Sequence, residues 1–264
     1  TKMNLPDDLK KLTLNQCNML CQDIRKMLID TVSKNGGHLA SNLGTVELSL
    51  AVHRVFDSPE DKIVWDVGHQ AYTHKILTGR ADRFDTLRQK NGISGFCRPD
   101  ESVHDAFVSG HSSNSVSAAL GIATAMKIRN DPHFTVAVLG DGAFTGGMIY
   151  EGLNNAGKSD TNLIIILNHN EMSISKNVGS VAKYLSNMRT KEGYHKTESV
   201  VERTLDKTPI VGAPLKKALK GSKNALKNVV LHSTMFEDLG LAFIGPLDGH
   251  NIEELEKGLN AAKA

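Results

Sequence analysis

The chain has 264 residues, of which 40% are hydrophobic and 23% charged, and a formal net charge of +2; this is the make-up of a globular protein with one large α/β core or two small ones, and it points to neither nucleic acid nor membrane as a partner. It has no apolar run of membrane-spanning length and no signal-like start. Cys17, Cys21 and Cys97 are an odd set without paired spacing, which argues against a disulfide framework or a four-ligand zinc site and fits a reducing cytoplasm.

Cys17 and Cys21 stand one helical turn apart and read as buried thiols on an apolar face ahead of a metal pair. Leu5 to Leu9 predicts a short capped turn before a helix that carries Leu14, Met19, Ile24, Leu28 and Val32 and is stopped by Asn35-Gly36-Gly37. A polar turn from His38 to Gly44 leads into a helix from Thr45 to Phe56, whose Val46, Leu48, Leu50, Val52 and Val55 give a broad apolar surface. A strand from Asp61 to Asp66 ends in Gly68-His69, and a helix is expected from about Gln70 to Leu77. Phe84 to Gly95 is weakly patterned and reads as loop with a helical turn. Gly110 to Ser115 opens an alanine-rich helix from Val116 to about Ile128, closed by Asn130-Asp131-Pro132.

The next stretch carries the chemistry. Phe134 to Leu139 is a strand-like apolar run, Gly140-Asp141-Gly142 punctuates it, Met148 to Ala156 resumes as helix, and Leu163 to Leu167 is a second apolar run ending in Asn168-His169-Asn170. Two parallel strands joined by a helical crossover place their carboxyl ends on one edge, so Asp141 and Asn170 are expected to meet. A carboxylate and an amide oxygen there offer two hard ligands to Mg²⁺ and leave positions for ligand phosphates. Gly142 lets the backbone approach a phosphate, and the helix starting near Thr145 aims its amides at the same place. Taken alone, Gly-Asp-Gly is equally a strand-ending turn. Strand alternation is expected to point His169 away from the metal.

From Lys176 to Val230 twelve lysines and arginines face four acidic residues, a local net charge of +8. A solvated, mobile helical excursion is the first reading, a cover over the phosphate site the second, and a nucleic-acid surface a distant third. Leu239 to Ile244 reads as a strand that rejoins the sheet, Gly245 to His250 as a turn, and Asn251 to Ala262 as a capped helix with Ile252, Leu255 and Leu259 inward.

Three turns share a grammar: Gly37-His38-Leu39-Ala40-Ser41, Gly68-His69-Gln70 and Gly110-His111-Ser112-Ser113. Each sets a histidine after a glycine at the start of a helix, where amides and hydroxyls bind anions. A single such histidine reads as structural or solvent-exposed; three in one context favour an active-site cluster in which His38, His69 and His111 handle protons and orient substrate.

Twenty-seven residues separate Gly142 from Asn170, and the pattern resembles the thiamine-diphosphate motif. The words GDGAFTGGM, LNHNEMSIS, GHLAS, WDVGHQAYTHK and SGHSS narrow it: the chain resembles the 1-deoxy-D-xylulose-5-phosphate synthases, transketolase-like thiamine-diphosphate enzymes, over nearly all its length. The resemblance implies an α/β fold with a mainly parallel sheet flanked by helices, the diphosphate-binding (PP-type) domain, as one domain over 1–264. It implies Ser41, His69, Gly110, His111, Ser112, Gly142, Ala143 and Asn170 at the cofactor, with His38 near the reacting carbon. Asp141, Asn170 and the backbone oxygen of Met172 match the Mg²⁺ ligands. The implied reaction joins pyruvate to D-glyceraldehyde 3-phosphate with loss of CO₂, for isoprenoid and thiamine precursors, in a cytoplasmic homodimer. The family's pyrimidine-binding domain, with its activating glutamate, and its C-terminal domain lie outside these residues, as does a lysine- and glycine-rich linker. The chain is therefore read as a trimmed or split portion, inactive without the pyrimidine-binding half supplied in cis or trans. A transketolase-type N-terminal subunit and a non-catalytic cofactor-binding domain are the alternatives.

Overall fold

The computed structural model describes residues 4–66, 68–169, 184 and 234–264. The chain divides into two compact units, Thr1–Val178 with Leu247–Ala264, and Gly179–Pro246. The predicted basic excursion from Lys176 to Val230 lies outside the described residues except for Tyr184.

In the first unit a turn of 3-10 helix, Asp7–Lys11, leads to helix α1, Leu14–Asn35. Thr13 caps α1 with a capping box: its hydroxyl accepts from Gln16 N, and the Gln16 side chain accepts from Thr13 N. The buried stripe of α1 runs through Cys17, Cys21, Ile24, Leu28 and Val32. Leu14 and Met19 fall off that stripe and are 44% and 69% exposed. The cysteines of this chain are free and buried, and burial pushes the Cys21 thiol up to about 12, so Cys17 and Cys21 pack as apolar residues.

Helix α2 is Leu39–Leu43, α3 is Val46–Val55, and strand β1 is Lys62–Trp65. The helix expected from Gln70 to Leu77 is broken: a 3-10 turn at Gly68–Gln70 precedes α4, Tyr72–Lys75, and a wide turn follows at Ile76–Arg80, where Gly79 takes φ 85°. Helix α5 spans Ser115–Ile128, strand β2 Thr135–Gly140, α6 Gly147–Ala156, β3 Leu163–Asn168, and the last helix, α7, Ile252–Lys263.

Strands β1, β2 and β3 form a parallel sheet in that order, with Lys62 opposite Thr135 and Thr135 opposite Leu163. Alternation assigns the faces. Ile63, Trp65, Val136, Val138 and Ile164 share an apolar cluster with Leu48, Val52 and Val55 of α3 and with Leu255 and Leu259 of α7. Val64 and Ala137 face the other way, onto Ala119 of α5. Helices thus cover both faces, as the near-continuous apolar strands require. Arg25 holds Glu47 through paired contacts of 2.6 and 2.7 Å, and His250 Nδ1 lies 3.0 Å from the same carboxylate, which ties α1, α3 and the approach to α7.

In the second unit the expected strand at Leu239 to Ile244 is absent. Gly240 (φ 89°) within it and Gly245 (φ 144°) just after it take conformations foreign to strands. The local order there is helical and aromatic: Thr234 caps the one-turn helix Met235–Asp238 with Glu237, Met235 N donates to Tyr184 Oη at 2.6 Å, and Phe236 stacks on Phe243. No helix among the described residues is long and apolar enough to cross a membrane.

Candidate functional site

The carboxyl edge of the sheet gathers the turns that the sequence singles out. Gly37 takes φ 142°, and a Cβ there would meet Tyr72 Oη at 2.9 Å, so a glycine is needed for the chain to deliver His38 to the start of α2. His69 lies in the 3-10 turn after β1, and His111 in the turn ahead of α5. Their rings meet: centroids are 4.5 Å apart for His38 and His69, 5.2 Å for His69 and His111, and 6.2 Å for His38 and His111. Ser41 joins the group, its Oγ 3.2 Å from His69 Nε2.

Backbone contacts hold the turns at these distances. Gly68 N donates to Ser109 O at 3.1 Å, and Ser115 N donates to the buried Asp66 carboxylate at 3.1 Å, which links the turns of His69 and His111. Ser113, in the left-handed region at φ 54°, packs onto Gly146, where a Cβ would lie 2.3 Å from Ser113 Oγ. That approach brings the Gly110–Ser113 turn against the start of α6 and so toward Gly-Asp-Gly.

Burial pushes the His69 imidazole down to about 4, and the charges of His38 and His111 add to the effect. His38 is lowered by burial first, then by the charges of Arg88 and His111. Both rings are neutral at pH 7, and Nδ1 of each is buried without a hydrogen-bond partner among the described residues. Arg88, which sequence reading passed over as loop, belongs to this neighbourhood; its φ of 62°, rare for an arginine, is the only local sign, and sequence does not show it.

At the other end, Asp141 is buried at the close of β2, with Oδ1 accepting from Gly142 N at 2.8 Å. Gly142 has ordinary helical angles, and a Cβ there would meet nothing within 4 Å. Conformation therefore does not demand glycine; its absent side chain leaves open space beside Asp141. Ala143 starts a 3-10 turn to Thr145, and α6 begins at Gly147 with no side-chain cap among the described residues. Gly110 and Ser112 lie in the turn of His111. His169 departs from expectation. The strand ends at Asn168, opposite Gly140, so alternation does not extend to His169, whose Nδ1 turns to within 3.3 Å of Asp141 Oδ2. Asn170 and Met172 lie outside the described residues.

The stretch from Trp65 to Lys75 does not line this cleft throughout. His74 and Lys75 turn into a buried network, with Trp65 5.7 Å from the His74 ring. Asp105 accepts from both guanidinium nitrogens of Arg80 (2.7 and 2.8 Å), from Arg98 N (2.8 Å) and from His74 Nε2 (3.0 Å). Glu101 takes Arg80 and Lys75. His53 Nε2 sits 2.9 Å from His74 Nδ1. Arg80 and His74 hold the Asp105 carboxyl far below its usual range, while burial lowers both histidines. His74, Cys97 and Asp105 bring ligand-type atoms within 4.8 Å of one another. Two cations, Arg80 and Lys75, already neutralise the acids there, so the group is an ion-pair network and not a metal centre.

Fold and site together define the class: a parallel-sheet α/β domain of the transketolase type. The transketolase of Campylobacter jejuni superposes with a TM-score of 0.65 over 96% of this chain and 36% of that one at 21% identity, and that of Leishmania mexicana with 0.61 over 94% and 34% at 19%; at such identities the likeness carries the fold alone. Sequence is more specific. The family model for 1-deoxy-D-xylulose-5-phosphate synthase matches residues 1–264. The synthase of Caldanaerobacter subterraneus subsp. tengcongensis is 53% identical over 99% of this chain, and that of Syntrophomonas wolfei subsp. wolfei 52% over 99%. The chain belongs to the 1-deoxy-D-xylulose-5-phosphate synthase family, and it spans 42% and 41% of the length of those two relatives.

Proposed function

We propose that this chain forms the diphosphate-binding half of a 1-deoxy-D-xylulose-5-phosphate synthase, a transferase that condenses pyruvate with D-glyceraldehyde 3-phosphate as CO₂ leaves. The observation that carries the reading is the cluster of His38, His69 and His111 on the same sheet edge as the buried Asp141. The residues fit thiamine diphosphate and Mg²⁺: buried Nδ1 atoms on His38 and His69 call for a polar ligand, the space beside Gly142 admits a phosphate, and the uncapped start of α6 favours an anion. Asp141, with Asn170 and Met172, would hold the metal, while Gly110, Ser112, Gly142 and Ala143 line the cofactor. When bound, thiamine diphosphate supplies the carbon nucleophile.

The chain's own residues bind, orient and move protons. His69, neutral through burial, accepts or donates a hydrogen bond without carrying charge, and Ser41 fixes its Nε2. His38, neutral for the same reason, can take a proton at an imidazole nitrogen from a hydroxyl developing beside it. The activating carboxylate belongs to a pyrimidine-binding domain in cis or trans, so these 264 residues alone are expected not to decarboxylate pyruvate, although they carry most of the diphosphate-binding residues. The complete enzyme is read as a cytoplasmic homodimer without nucleic-acid or membrane partner.

Titration calorimetry tests the metal half of this reading. In a form of the protein able to bind the cofactor, Asp141→Ala is expected to abolish measurable Mg²⁺-dependent binding of thiamine diphosphate while leaving the fold intact. Equal affinity in the variant would refute the assignment.

A further inference from the structure

Between the turns of His38 and His69 lies a side chain that neither motif contains. Asn42, on the single turn of α2, is fully buried. Its Nδ2 donates to His38 O at 2.6 Å and to His69 O at 2.5 Å, and its Oδ1 accepts from Tyr72 N at 2.9 Å. The orientation of the amide is forced, because two carbonyls can be served only by the NH₂ group and a backbone N–H only by the oxygen. Both of its donors are used on the backbones of two histidines 31 residues apart in sequence. Thr45 adds a parallel tie by donating to Gln70 O at 3.1 Å, but it touches neither histidine.

We infer that Asn42 is a positioning residue that sets the separation and mutual tilt of the His38 and His69 rings. Two carbonyls held by the two N–H bonds of one planar amide, itself fixed through Oδ1 by Tyr72 N, cannot drift relative to one another, and each imidazole is carried on the residue whose carbonyl is held. The 4.5 Å ring spacing follows from the clamp together with the Ser41 contact. The catalytic consequence rests on the reading of these histidines as cofactor-cleft residues; the geometric claim does not, and it is tested without cofactor.

Histidine-selective NMR on the 264-residue chain decides it. Charged and titratable groups facing the pair are His111 beside His69, and Arg88 and His111 acting on His38, and none of them is altered by Asn42→Leu, which keeps the volume and removes both donors. In that variant the nuclear Overhauser contact between the two rings is expected to disappear, and the His69 pKa to rise from about 4 toward 6.5 as the ring gains water. Methyl signals of Val136 and Leu255 should stay in place. Should the ring contact and the His69 pKa persist while only the melting temperature drops, Asn42 merely fills space and the inference fails. If the variant does not fold, the unaltered chain still answers: the Asn42 Nδ2 protons must exchange with solvent orders of magnitude more slowly than those of an exposed side-chain amide such as Asn155, and equal rates would exclude the clamp.

Discussion

Two histidine-rich regions lie in one unit of this chain and obey opposite rules. Around His38, His69 and His111 the rings pack on one another, two Nδ1 atoms have no hydrogen-bond partner among the described residues, and no acid is among the causes that shift His38 and His69. Around His53 and His74, by contrast, Asp105 and Glu101 answer Arg80 and Lys75, and all but the partly exposed Glu101 are buried. The second cluster has its charges balanced inside, whereas no such acid acts on His38 and His69 in the first. Burial alone does not mark a reaction site, and neither does an unanswered nitrogen, since His53 Nδ1 also lacks a partner among the described residues; what separates the two clusters is whether charge is answered by charge.

Breaking the closed network should produce the largest effect. Asp105→Ala leaves Arg80 and Lys75 in the interior with one carboxylate between them, and a loss of about 3–5 kcal/mol is expected from urea unfolding. A loss under ~1 kcal/mol would mean that water reaches the network. A smaller effect, about 1–3 kcal/mol, is expected for Gly146→Ala, because the added methyl would force Ser113 away from α6. Its sharper readout is cofactor affinity, which should fall as the Gly110–Ser113 turn separates from Gly-Asp-Gly; undisturbed binding would show that the junction does not matter to the site.

The third effect concerns pH. The folded pKa of His69 is depressed to about 4 from 6.5, so below 6.5 the unfolded chain takes up the proton first. Stability is present in full above that value and is lost as pH falls toward 4. NMR titration should show His69 protonating within the folded chain near 4, and His53 and His74, lowered by burial, titrating below an exposed histidine. A His69 that titrates at 6.5 would erase the contrast between the regions.

Much of this was legible in the residues. Glycine-bounded turns and apolar runs located β1, β2, β3 and the helices between them, because parallel strands covered on both faces need no interpretation beyond their hydrophobicity. The convergence of His38, His69 and His111 followed from topology, since each turn lies before a helix on one edge of the sheet. The ion-pair network was hidden: His53, Lys75, Arg80, Glu101 and Asp105 are scattered over 53 residues with no spacing that periodicity can detect. Asn42 was hidden for another reason, as its partners are backbone atoms and leave no trace in sequence. His169 and the segment from Leu239 to Ile244 were misjudged where alternation was extended past a strand end or across glycines.

The position of α7 carries a consequence for how the chain is made. Leu255 and Leu259 complete the apolar layer over Ile63, Val136 and Ile164, and Lys263 reaches back to Val55 O at 3.2 Å while lying over the rings of Phe56 and Phe134. A nascent chain has all three strands long before it has this cover: about 90 residues separate Ile164 from Leu255, roughly 5–20 s of synthesis at ~5–20 residues per second. For that interval α3 alone covers this face of the sheet and the part that Leu255 and Leu259 seal stands open on the ribosome, so a chaperone that shields apolar surface has its natural client in the polypeptide that ends before α7.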